Sequence, residues 1–186
     1  MSAWSLGGAV GLAVVFATAA VSKIRSRTSF QEFAASLGQF GLRSARVKRL
    51  SAAGVIGAEV AAAGALLTPW ATSGLIRFGP ATGLLAVFSI AVAVAGAKNE
   101  RFACHCFGSR APSRTGPHLA TNAVLIAVGV VGMAAPGTGP GLSDGLRVLA
   151  IGLGAVAGVL VVSGSVIAEA LAPRREIYPE MRTEES

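Results

Sequence analysis

Cysteine is almost missing from this chain: Cys104 and Cys106 are the only two among 186 residues. A protein that uses cysteine as a small apolar filler scatters it through its hydrophobic segments. Here both thiols stand one residue apart in the most polar connection between such segments, so that use is excluded. Charge is also scarce. Charged residues make up 13% of the chain, whereas soluble domains carry about a quarter. With hydrophobic residues at 53% and a mean hydropathy of +0.64, the composition is that of a membrane protein. Aromatic residues reach only 6% and do not interleave with basic ones, so the net charge of +7 is not read as a nucleic-acid surface. Basic residues beside hydrophobic spans are explained by the positive-inside rule and by anionic headgroups of a lipid bilayer.

Five apolar runs supply the spans, at about residues 4–22, 51–70, 78–97, 119–135 and 146–171. The first is uncharged and long enough to cross a hydrocarbon core of about 30 Å as a helix. Ala17-Thr-Ala19 resembles a signal-peptidase site, but a signal peptide carries its positive charge before the apolar run. This chain carries it afterwards, at Lys23, Arg25 and Arg27, so the span is read as uncleaved. Gly7 and Gly11 give it a small-xxx-small face, and Gly154 and Gly158 give the fifth run another. The fourth run is short and opens with Asn122, placed near the headgroup level. Thr68-Pro69-Trp70 ends the second span, Pro80 falls in the first turn of the third, and residues 71–77 make a tight hairpin between them.

Charge assigns the sides. Residues 23–50 hold seven basic residues, 98–118 hold four and the C-terminal segment three, which leaves Arg77 and Arg147 for the other face. The expected protein is therefore all-α, a polytopic membrane helix bundle with a four-helix core and a fifth C-terminal span. Its N-terminus is outside and its C-terminus cytoplasmic, with one membrane domain over residues 1–172 and a disordered tail over 173–186. Within residues 23–50, Ser29-x-x-Glu32 has capping-box spacing, and Phe30, Phe33, Ala34, Leu37 and Phe40 recur at helical spacing. They predict a short amphipathic helix that lies in the interface and ends around Gly38–Gly41, and that either covers the end of the bundle or gates substrate.

The chemistry concentrates in Phe102-Ala-Cys-His-Cys-Phe-Gly-Ser109. A Cys-x-Cys pair closes a small strained disulfide suited to exchange, donates two thiolates to a soft metal, or does neither. Lys98, Arg101, Arg110 and Arg114 surround it with only Glu100 opposing, which favours the nucleophilic thiolate, and His105 adds to this when protonated. In the metal reading His105 or His118 joins the thiolates, but no second ligand set exists in the chain. Glu59 lies near the middle of the second span, where a carboxylate must face a polar interior or be neutral and hydrogen-bonded to a neighbouring helix. It is the lone ionisable group deep in a span, too little for a transporter.

Ala20 to Arg25 at the end of the first span, Glu59, and above all Cys104-His-Cys-Phe-Gly108 followed by Asn122 resemble the MauE family of methylamine utilisation, membrane proteins similar to the DoxX type. The resemblance covers about residues 5–135. It implies a redox-associated role in maturing methylamine dehydrogenase, a disulfide-rich periplasmic enzyme, with a thioredoxin-like partner. Under it Cys104 and Cys106 are the redox pair, Phe107 and Gly108 shape their loop, and Lys23, Glu59 and Asn122 are supporting polar groups. A quinone is implied only through likeness to quinone-coupled disulfide formers; no cofactor signature is evident. A non-catalytic membrane assembly factor and a soft-metal (copper) handling protein are the alternatives.

Overall fold

Long apolar stretches with helix-forming flanks give helices throughout. The computed structural model describes residues 2–68, 73–97, 115–134 and 142–171. They form α1 (Ala3–Ile24), α2 (Arg27–Ser36), a 3-10 turn (Leu37–Phe40), α3 (Ala45–Leu67), α4 (Gly74–Ala97), α5 (Thr115–Ala134) and α6 (Asp144–Leu171). By length and apolar composition α1, α3, α4 and α6 can each cross a membrane, and α5 contributes a shorter apolar stretch, Leu119–Ala134. No strand occurs among the described residues. The expected tail, 173–186, lies outside them.

Helices α1, α3, α4 and α5 pack in a closed ring, each touching the next, and α6 is laid against the outside of α1. The core of the ring is built from Ala9, Leu12 and Phe16 of α1, Ala62 and Leu66 of α3, Phe78 and Leu85 of α4, and Leu125 of α5. A second cluster of Ala20, Phe33, Ala34, Ala52 and Ile56 closes one end. Down α1 the partners on α3 run from Leu66 back to Ala52, so these two helices are antiparallel.

Small residues set the closest approaches. A Cβ built on Gly11 would stand 3.0 Å from the Gly154 carbonyl oxygen, one on Gly158 would stand 2.7 Å from that of Gly11, and one on Gly154 would overlap the Gly7 oxygen. The two glycine faces read from the sequence thus pack against each other. Because Gly7 lies beside Ala150 and Gly11 beside Gly154, α1 and α6 run in the same direction. The α4–α5 pair is antiparallel instead: Gly132 meets the Phe78 ring, Gly129 meets Thr82, and Asn122 meets Ser89. Helix α5 therefore runs back along α4, its 20 residues covering about 30 Å. Directions alternate around the ring, and α6 repeats that of α1.

Several boundaries differ from the sequence reading. Helix α3 starts at Ala45, because Arg46, Lys48 and Arg49 extend the helix beyond its apolar part. Helix α5 likewise opens at Thr115, so Asn122 is not its first residue but a buried one two turns in. Pro80 sits inside α4 rather than in its first turn, since that helix begins at Gly74. Ser26, not Ser29, caps α2: its side chain accepts from the Ser29 backbone N–H at 3.0 Å. The chain leaves the following 3-10 turn through Gly41, whose φ of 81° favours a residue without Cβ.

Candidate functional site

Lys23 is on the last turn of α1, where a cation is favoured by the helix carbonyls, and its long side chain points back toward the N-terminus of the helix. That direction carries the ammonium into the bundle. Nζ donates to Glu59 Oε1 on α3 at 2.7 Å and to the Ala19 carbonyl oxygen at 3.2 Å. Both side chains are buried, Lys23 to 2% and Glu59 to 1% exposure. A charge at this depth is tolerated only when paired, and the partner here is 36 residues away in sequence.

The pair occupies the boundary between the two apolar clusters, with Ile56 of α3 on one side and Ala62 on the other. Helix α2 closes it from the end of the bundle. Phe33 is buried there, and its ring centroid lies 5.2 Å from Lys23 Nζ, a cation–π contact that strengthens away from water. This amphipathic helix covers the bundle end, packing Phe33 and Ala34 against α1 and α3. Glu59 Oε2 is different: it is buried and accepts no hydrogen bond from any described residue.

A second polar contact lies between α4 and α5. Asn122 Nδ2 donates to Ser89 Oγ at 3.2 Å, and Ser89 in turn donates to the Leu85 carbonyl oxygen at 2.8 Å. At the opposite end of the bundle the buried Arg77 donates through Nε to the Leu66 carbonyl oxygen at 2.7 Å. It supplies a partner to the C-terminal end of α3, where backbone carbonyls lack one within the helix.

Of the sequence-derived candidates, Lys23 and Glu59 are joined directly, and Asn122 bonds to Ser89 instead of to either. Cys104, His105, Cys106, Phe107 and Gly108 lie outside the described residues, as does the side chain of His118. The helix ends that flank residues 98–114 are described. The end of α4 and the start of α5 lie at the same end of the bundle as Lys23, α2 and the start of α3.

The family model described as methylamine utilisation protein MauE matches residues 1–135. The chain belongs to the MauE family. No curated protein and no solved structure matches it. As a MauE-family member with this set of apolar helices it is a multi-pass membrane protein in contact with lipid. The MauE match ends at the C-terminal end of α5, so the four-helix ring with its Lys23–Glu59 pair falls inside it and α6 beyond it.

Two contributors were not legible as such in the sequence. Phe33 reads there as one member of an apolar face, and only the fold puts its ring over Lys23. Ser89 carries no signal beyond being a hydroxyl in an apolar span, where it finds a neighbouring carbonyl. Among the described residues, no group of three His, Cys, Asp or Glu side chains is placed to hold a metal ion.

Proposed function

We propose that this chain is a membrane thiol–disulfide redox protein that exchanges electrons with a thioredoxin-like partner through Cys104 and Cys106. The role is redox supply or maturation of an extracytoplasmic partner, as the methylamine-utilisation description of the family suggests. The observation that carries the reading is that the chain's only two cysteines form a Cys-x-Cys-Phe-Gly element inside the family-matched region. One thiolate attacks a sulfur of the partner's disulfide, forming a mixed disulfide and releasing the partner's other sulfur as thiolate. The second cysteine then attacks the mixed disulfide, closing Cys104–Cys106 and leaving the partner reduced; electron flow in the other sense reverses each step. Lys23, Glu59 and Asn122 are supporting polar groups, Phe107 and Gly108 shape the cysteine loop, and His105, when protonated, favours the thiolate. By the charge count, the end of the bundle that carries α2 faces the cytoplasm and the N-terminus lies outside, so serving an extracytoplasmic partner means importing reducing equivalents from the cytoplasmic side or a cysteine loop that is reachable from both faces.

The test is labelling of Cys104 and Cys106 with a membrane-impermeant maleimide, in intact cells and in inverted vesicles, with and without prior reduction. Labelling that needs reduction and occurs in inverted vesicles is the expected result. Full function in a Cys104→Ser/Cys106→Ser variant would overturn the redox reading in favour of an assembly factor, whereas full labelling without reduction would leave the pair as thiols and shift the reading toward soft-metal handling or an assembly factor.

A further inference from the structure

Six basic side chains crowd the α2 end of the bundle: Arg25 at the end of α1, Arg27 on α2, Arg43 in the link that follows, and Arg46, Lys48 and Arg49 at the start of α3. All are exposed except the half-buried Lys48, and none forms an ion pair among the described residues. Lys23 is paired inside with Glu59, and Glu32 is the only acid between residues 25 and 49. Three of the six stand where a helix tolerates them least. Helix α3 has no acid in its first turn and no side-chain cap from Ser44, so Arg46, Lys48 and Arg49 face the positive end of its dipole. Cations set against the dipole and left without a counter-charge in the chain call for an anion from outside it.

Two of the arginines differ from the rest in what lies below them. At helical spacing Arg46, Leu50, Ala53 and Gly57 share one face, Arg49 borders it, and all five are exposed. Leu50 is 73% exposed, and no atom lies within 4 Å of a Cβ built on Gly57. The opposite face, with Ala52, Ile56 and Glu59, is the one buried in the bundle. Lys48 turns away from the open face, its Nζ 2.9 Å from where a Cβ on Gly38 would stand. From Leu50 to Leu67 the helix rises about 26 Å, close to the thickness of a hydrocarbon core of about 30 Å, so Leu50 marks the edge of that core. Arg46 stands about 6 Å above Leu50, inside a headgroup layer that adds about 5–7 Å on each side. A soluble acidic protein would have to reach arginines whose own helix face enters lipid one turn later. A headgroup is already at that depth.

We propose that Arg46 and Arg49 hold the phosphate of an anionic phospholipid of the surrounding bilayer, whose acyl chains lie along Leu50, Ala53 and Gly57. Guanidinium groups grip phosphate oxygens through paired N–H donors, which a single ammonium does not. Two of them favour a headgroup of net negative charge over a zwitterionic one, whose own cation is repelled by theirs. The lipid supplies the anion that the start of α3 lacks and fixes this helix, with the α2 cap that precedes it, at one depth in the bilayer. The site is independent of any chemistry at the cysteines.

The experiment uses the full chain in a neutral detergent, titrated with phosphatidylglycerol or with phosphatidylcholine of the same acyl chains, and bound lipid is counted by native mass spectrometry. The wild type is expected to prefer phosphatidylglycerol about 30-fold, about fivefold for each cation at the headgroup. Arg46→Gln/Arg49→Gln is expected to bind the two lipids alike. Arg25→Gln/Arg27→Gln removes the same charge from the same end and is expected to keep most of the preference. In phosphatidylcholine alone the α3 variant should match or exceed the wild type in unfolding midpoint, because it takes cations from the positive end of a helix. Should it not fold, Arg46→Gln alone decides, with an expected loss of about fivefold. Equal wild-type affinity for the two lipids would overturn the proposal. So would equal losses in the two double variants, which would mean diffuse attraction to the whole basic end. Soluble poly-glutamate offers the other occupant. Its binding to the chain in phosphatidylglycerol nanodiscs, if abolished by Arg46→Gln/Arg49→Gln, would overturn the lipid site in favour of an acidic polypeptide.

Discussion

Removing the ammonium of Lys23 leaves Glu59 as an isolated charge inside the ring, and the structure bounds what this costs. Breaking a buried pair from one side destabilises by about 3–5 kcal/mol. Glu59 has a short side chain, lies eight residues from the nearer end of α3 and cannot reach headgroups, so its escape is to take a proton. Protonating a carboxyl of ordinary acidity at pH 7 costs about 3.7 kcal/mol, which caps the loss for Lys23→Met near that value. The cap falls by about 1.4 kcal/mol for each unit of lower pH, reaching roughly 1 kcal/mol at pH 5. Removing the other partner is cheaper. In Glu59→Met, Lys23 sits one residue from the end of α1, keeps the Phe33 ring and the Ala19 carbonyl, and has a stem long enough to turn outward. That variant should lose about 1–2 kcal/mol, and the double variant about as little. Reversible unfolding in mixed micelles by titration with dodecyl sulfate, run at both pH values, measures all four corners of the cycle. A loss below about 1 kcal/mol for Lys23→Met at pH 7, or a larger loss for Glu59→Met, would refute the account of the pair as buried and asymmetric.

Other substitutions probe the packing around it. Gly154→Leu places a side chain where only the Gly7 carbonyl fits, and should cost more than about 2 kcal/mol by prising α6 from α1, read as a lower unfolding midpoint. Phe33→Leu should lower stability by about 1 kcal/mol through the lost ring contact, but only while Lys23 is present; in a Lys23→Met background the same change should be close to neutral. Asn122→Ala should cost about 0.6–1.7 kcal/mol, the range of hydrogen bonds between membrane helices, and Ser89→Ala in addition should cost little more.

What the sequence made legible follows from which forces act locally. Hydropathy marks the apolar part of each helix, so the five apolar helices and their order can be read, as can the two glycine faces that meet between α1 and α6. It does not mark where a helix stops. The first turns of α3 and α5 are polar: α3 runs on through Arg46–Arg49, and α5 opens at Thr115 because Pro117 falls in its first turn, where a missing N–H costs no helix hydrogen bond. The cap of α2 was misplaced for a related reason: Ser26 and Ser29 are both capable residues, and the extended backbone at Ser26, φ −149°, decides between them. Glu59 and Lys23 stand out singly, one by its depth and the other by its place at a span's end. Their union depends on the register of α1 against α3, which is fixed by the packing of Ala20 against Ala52 and Ile56 and not by any local signal.

The parallel seating of α6 on α1 also bears on how the chain is made. Gly7 and Gly11 are synthesised first, yet the residues that cover them, Gly154 and Gly158, arrive more than a hundred residues later. At about 5–20 residues per second, that interval is roughly 7–28 s. Through this interval the exposed carbonyls and bare backbone of α1 face lipid or whatever accompanies the nascent chain. Among the described helices, the last to leave the ribosome thus seals the first.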